Sequence, residues 1–256
     1  SRMEKVPTTI YENARQGAIQ LAQLIAQRIR KSQAEGEKFV LSVVAGRTMT
    51  DLFAELVRMH QEENLSFRNV VLFNTYEYYP LQNAAQGCLA QLKEQLIDHV
   101  DIKAENVFAF DGTMDQRDIM PMIGRMERKI QEFGGVDLQL LGIGRCGNIG
   151  LNEPGSAPSS QTRLVILDNI SRDEAKNTFG TIEQVPVSAI TMGVGTILRA
   201  KEVILVAWGE HKASPLHDAI EGSTDAACPA SALQLHPNAK VLCDLSAATQ
   251  LTRIHH

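Results

Sequence analysis

The 256-residue chain has only four cysteines, and Cys88, Cys146, Cys228 and Cys243 lie far apart with no CxxC pair. That spacing gives neither a disulfide framework nor a zinc knuckle, so reduced thiols are expected and no metal or cofactor is read from it. Basic residues are not in excess: 25 Lys and Arg against 30 Asp and Glu leave a net charge of -5. With nothing surplus to cover a phosphate backbone, nucleic acid is not an expected partner. The longest apolar stretches, such as 39–45 and 203–208, fall far short of the roughly 20 residues of a membrane helix, so no membrane partner is expected either. The first 30 residues lack a basic start followed by an apolar core, and a cytoplasmic location is the expectation. The chain opens on Ser1 and ends on His255 and His256, as a fragment of a longer multidomain polypeptide would.

What is present is 44% hydrophobic residues, enough for a real core. Ala18, Leu21, Ala22, Ile25 and Ile29 fall on one helical face. The run 39–44 reads as a strand covered on both faces, 51–60 as a helix and 70–73 as a second strand, which is the βαβ pattern. The alternation continues with helices near 89–99, 115–133, 172–179 and 212–221. Strands are expected at 107–110, 136–142, 203–208 and 240–243, and 164–167 is a further apolar run. The pattern predicts an α/β fold: one Rossmann-like parallel sheet flanked by helices, in a single domain spanning 1–256. Ligands of such sheets gather where strands end and helices begin, so residues 45–50, 74–80, 142–154 and 209–212 are the informative segments.

Gly46, Arg47 and Thr48 join a strand to a helix, with Thr48 or Thr50 available as N-cap; the loop reads either as a phosphate cradle or as an ordinary capped turn. It lacks the GK[ST] ending of a P-loop. Gly142, Gly144 and Gly147 spell GxGxxG after a strand, but the following Asn152-Glu153-Pro154-Gly155 cannot be the helix that a dinucleotide site needs. Cys146 beside Arg145 is either a thiolate of lowered pKa or a small loop residue. Tyr76, Tyr78 and Tyr79 suit packing as well as substrate stacking. Lys212 opens a helix whose dipole is already positive there, a conflict that an anionic ligand or simple solvation resolves.

Several segments together resemble one family. Leu56-Val57-Arg58-Met59-His60, Phe73-Asn74 with Glu77-Tyr78, Asp98-His99-Val100-Asp101-Ile102, Gly144 and Gly147 before Asn152-Glu153-Pro154, Gly193-Val194-Gly195-Thr196 and Leu233-Gln234-Leu235-His236-Pro237 are similar to glucosamine-6-phosphate deaminases. The likeness spans about 39–244, in order. It implies the deaminase/ribose-phosphate isomerase type of fold, related to 6-phosphogluconolactonase, and a phosphorylated amino sugar as ligand. Such deaminases open the sugar ring, move the C2 proton with a carboxylate base and release ammonia to give fructose 6-phosphate.

The same resemblance identifies where this chain departs. The base, the Asp of an FNxDEY motif, falls on Tyr76, a phenol that is a poor base near neutrality. In the GNDGHI segment the ring-opening Asp and His fall on Cys146 and Asn148, and an amide does not exchange a proton as imidazole does; the acidic Glu153 is kept. The TGxTP phosphate loop keeps Gly46 and Thr48 and gains Arg47. The family's phosphate Arg falls near Asn177, with Lys176 beside it as a stand-in, and its phosphate Lys is Lys212. Of the allosteric phosphate site Ser156 and Arg163 match, while the expected Lys is Val165. The resemblance thus implies a phosphosugar-binding domain with ordinary deamination weak or lost, or an active isomerase or deaminase on a related hexosamine phosphate. It also implies a homo-oligomer and a fused or partner deacetylase-like domain as possible company.

Overall fold

The computed structural model describes residues 4–252, so Ser1, His255 and His256 lie outside the described residues. Among those residues the strands are, in chain order, β1 (Thr8–Tyr11), β2 (Phe39–Val43), β3 (Val70–Asn74), β4 (Tyr76–Tyr79), β5 (Val107–Phe108), β6 (Leu138–Leu141), β7 (Arg163–Ile166), β8 (Ser188–Thr191), β9 (Glu202–Ala207) and β10 (Ala239–Asp244). The helices are α1 (Ala14–Ala34), α2 (Thr50–Glu62), α3 (Cys88–Gln95), α4 (Ile119–Glu132), α5 (Asn169–Phe179), α6 (Val194–Leu198) and α7 (Ala213–Ile220).

Seven strands form one sheet in the order β1-β10-β9-β6-β2-β3-β5, and every pairing in it is parallel. Each residue of β2, β3 and β6 is buried, as strands covered on both faces require, which is why they read as apolar runs without alternation. On one face Leu21, Ile25 and Ile29 of α1 and Leu52, Phe53 and Leu56 of α2 pack on Leu41, Val43 and Leu72. On the other, Ile119, Met122, Ile123 and Met126 of α4 and Leu216 and Ile220 of α7 pack on Val40, Val71, Phe73 and Leu205. Burying each large side chain of this kind contributes about 1.5–3 kcal/mol, so the two apolar layers hold the sheet between them. Asn13 caps α1 by accepting from Gln16 N–H at 2.9 Å. No helix of the described residues is long and apolar enough to cross a membrane.

A small second sheet stands beside the expected parallel one. The strands β4, β8 and β7 pair antiparallel in that order, so the apolar run at 164–167 is an edge strand of a separate small sheet. Strands β1, β4 and β8 carry no long apolar run: Thr8 to Tyr11 and Tyr76 to Tyr79 mix polar with aromatic residues, and their pairing comes from tertiary neighbours.

A single residue, Thr75, links the large sheet to the small one. Its N–H and its hydroxyl both donate to Val43 O, at 3.0 and 2.8 Å. Its hydroxyl oxygen accepts from Gln139 Nε2 at 2.9 Å, and its carbonyl accepts from Met192 N–H at 3.0 Å. Buried polar groups so fully paired fix the crossing between the sheets.

Candidate functional site

Strands β2, β3, β6 and β9 all end on the same side of the large sheet, and the loops that follow them enclose a cleft of about 940 Å³. Two of its walls are built alike. Gly46, with φ 119°, and Gly209, with φ 95°, each turn the chain into a short 3₁₀ segment, Arg47–Met49 and Glu210–Lys212, that runs into α2 and α7. Positive φ is where glycine is at ease, and both turns depend on it. Neither Thr48 nor Thr50 caps α2: the N-cap is Met49, without a side-chain cap, and Thr50 is the first residue of the helix itself. That corrects the capping expectation.

Gly46, Arg47, Thr48, Tyr76, Asn148 and Lys212 all border the cleft. Lys212 Nζ donates to Ile143 O at 2.5 Å. Burial pushes its pKa below the usual lysine value, with Glu174 pulling it back up and Arg145 pushing it further down. The third cleft cation, Arg145, is already paired with Asp173 at 3.2 Å. Arg47 and Lys212 have no ion-pair partner among the described residues, so the cleft holds two cations open to an anion.

Tyr76 stands on β4 opposite Thr191 and packs against the α1 and α2 side of the core. Burial raises its pKa well above the usual phenol value, and Tyr78, Cys88 and Glu77 nearby push the same way. The phenol is held protonated, which makes it a donor rather than a base. Glu77, next in the chain, is a buried carboxylate that accepts from Tyr78 N–H at 3.0 Å, Cys88 N–H at 2.8 Å and Leu89 N–H at 3.3 Å. It pins β4 to the start of α3, whose far end supplies Gln95 to the cleft.

Three predicted residues do not border the cleft. Lys176 is exposed and paired with Asp173 at 3.0 Å, while its neighbour Asn177 is the one that borders it; on α5 the two point to different sides. Cys146 is half-buried outside the lining. Glu153 accepts from Asp168 N–H at 2.8 Å, and burial raises its carboxyl above the usual range against that bond and the nearby Ser171 hydroxyl. Ser156 and Arg163 meet each other at 3.3 Å on the Asn152 side, away from the lining, and Val165 is in β7.

Sequence reasoning missed Ser171. It borders the cleft, accepts from Asn148 Nδ2 at 3.3 Å and lies near enough to Glu153 to favour its charged form. A serine in the first turn of a helix is too common a residue to signal this.

A family model described as glucosamine-6-phosphate isomerases/6-phosphogluconolactonase matches residues 12–242. A glucosamine-6-phosphate deaminase-like protein of Bacteroides thetaiotaomicron is 52% identical over 99% of this chain, which spans 38% of that relative's length. A glucosamine-6-phosphate deaminase of Bacillus velezensis is 39% identical, over 90% of this chain and 95% of its own. The solved structure of a monomeric glucosamine-6-phosphate deaminase superposes with a TM-score of 0.89 at 33% identity, covering 95% of this chain and 99% of that one. A 6-phosphogluconolactonase from Trypanosoma brucei shares the fold, at TM-score 0.77 and 17% identity, covering 96% of this chain and 99% of its own. The chain therefore belongs to the glucosamine-6-phosphate isomerase/6-phosphogluconolactonase family.

Proposed function

We propose that the cleft binds a phosphorylated amino sugar, with Arg47 and Lys212 on its phosphate, and that ordinary deamination is weak or lost. The observation that carries the second half is Tyr76. The residue at the base position is a half-buried phenol whose surroundings raise its pKa, so it does not take a C2 proton near neutrality. Asn148 compounds this, since its amide cannot relay a proton to a ring oxygen. Loss of one positioned base alone costs about 10²- to 10⁴-fold in rate.

A second reading rests on Glu153. Its carboxyl is raised by burial and lies near Ser171, which borders the cleft; that suits a working isomerase or deaminase on a related hexosamine phosphate. One experiment separates the two. Purified protein is given hexose and hexosamine 6-phosphates while ammonia release, ketose formation and C2 deuterium exchange are followed. Binding without turnover supports the first reading; turnover that Glu153→Gln abolishes overturns it and supports the second.

An attached or partner deacetylase-like domain rests on the family likeness alone; the chain spans 38% of the Bacteroides relative's length. Assembly into homo-oligomers and a cytoplasmic setting rest on the family likeness alone. Sedimentation velocity of the purified chain tests the assembly.

A further inference from the structure

Asn148 is 7% exposed and borders the cleft, yet its Oδ1 is buried without a hydrogen-bond partner. Native structures rarely leave such an acceptor idle, because it has lost water and gained nothing.

The neighbours decide which end of the amide is free. Glu153 accepts a hydrogen bond from Asp168 N–H at 2.8 Å, and the nearby Ser171 hydroxyl favours its charged form. A hydroxyl has a single proton; turned toward that carboxylate, it leaves Ser171 Oγ to meet Asn148 only as an acceptor. Asn148 Nδ2 is the group that donates to it, and Oδ1 is left over. Gly144 closes the other side: a Cβ there would lie 3.1 Å from Asn148 Cβ and Cγ and 3.4 Å from Oδ1. Gly144 N–H also donates to the Asn148 carbonyl at 3.0 Å, so backbone and side chain are held together.

An amide oxygen accepts and does not donate. Placed in the same cleft as two open cations, it sorts a ligand by its two ends. The anionic end belongs with Arg47 and Lys212, and a phosphate oxygen against Asn148 would set acceptor against acceptor.

We propose that Asn148 is a specificity-determining residue whose Oδ1 accepts a hydrogen bond from a hydroxyl or ammonium group of the ligand. Ser171 and Glu153 are positioning residues that hold this oxygen free. The inference rests on the cleft taking a phosphosugar and names the group read at the end away from the phosphate.

The test is calorimetry with glucosamine 6-phosphate, glucose 6-phosphate and analogues of each that lack one hydroxyl or the amino group. Wild type, Asn148→Ala, Ser171→Ala and Ser171→Thr are compared. One analogue is expected to bind wild type about tenfold more weakly than its parent, a penalty that Asn148→Ala erases. Ser171→Ala is expected to weaken the parent several-fold and Ser171→Thr, which keeps the hydroxyl, to restore it. If the parent binds but every analogue penalty survives in Asn148→Ala, the assignment is wrong while the cleft reading stands. If no phosphosugar binds wild type, the cleft reading falls and the ligand assignment with it.

The orientation itself has a ligand-free check. Asn148→Asp would turn a second oxygen toward Ser171 Oγ, whose proton is turned toward Glu153, so the melting temperature is expected to drop. An unchanged melting temperature would show that the amide points the other way and overturn the proposal.

Discussion

Lys212→Met removes one of the two open cations of the cleft and keeps most of the side chain's length. One of the ammonium's three protons is spent on Ile143 O, leaving two for a ligand. A hydrogen bond to a charged group is worth about 1.5–3 kcal/mol, so a phosphosugar should bind the variant roughly 10- to 150-fold more weakly. Calorimetry with glucosamine 6-phosphate measures this, and glucosamine without phosphate is the control that should not distinguish the two proteins. Proton linkage gives a second readout. Burial holds the folded pKa below the ordinary lysine value of 10.5, so between the lowered value and 10.5 the unfolded chain binds more protons. Stability of the free protein therefore rises with pH across that window, and the cost of burying the charge is fully present below it. A bound phosphate favours the ammonium, so binding there should take up protons and the heat should depend on the buffer. Equal affinity of wild type and variant for glucosamine 6-phosphate, with no proton uptake, would refute the placement of the phosphate.

Glu202 is buried, with Arg28 at 2.6 Å and Lys240 at 3.0 Å, and despite the desolvation that raises its pKa those two partners bring it below the usual carboxylate range. Its contribution is present above the unfolded carboxylate pKa and is lost as pH falls through the folded value. Glu202→Gln should cost about 1–3 kcal/mol in urea melts at pH 7, less than for a fully buried pair because Arg28 reaches solvent, and the gap to wild type should shrink in acid. Glu77→Ala orphans three backbone N–H groups while relieving a desolvated carboxylate. A net loss of about 2–4 kcal/mol is expected, with faster hydrogen exchange at the amides of Cys88 and Leu89. Gly193→Ala would set a Cβ 2.1 Å from Ser160 O; backbone cannot yield cheaply, and a loss of about 1–3 kcal/mol should show as a lower melting temperature.

Apart from its edge strand β1, the central sheet was legible because its inner strands are covered on both faces and so must be continuous apolar runs, as at β2 and β9. The helical stripe of Ala18, Leu21, Ala22, Ile25 and Ile29 is buried as its spacing predicts. The small sheet was not legible: β4 and β8 are four residues each, and their pairing joins residues more than 100 positions apart. Within the cleft the loops after strands could be located, since sheet topology dictates them, but Lys176 against Asn177 turns on a single step around a helix. Ser171 was invisible for a different reason: its importance lies in which proton it gives to which neighbour, and no local pattern encodes that.

Thr75 carries a consequence for how such folds diverge. Because its own atoms, and not those of its successor, tie the crossing to β2, β6 and the segment after β8, position 76 works as a socket whose place is set whatever side chain is plugged into it. A carboxylate or a phenol would be offered to the cleft from the same backbone point. The framework can therefore exchange the side chain at that point without drifting in shape.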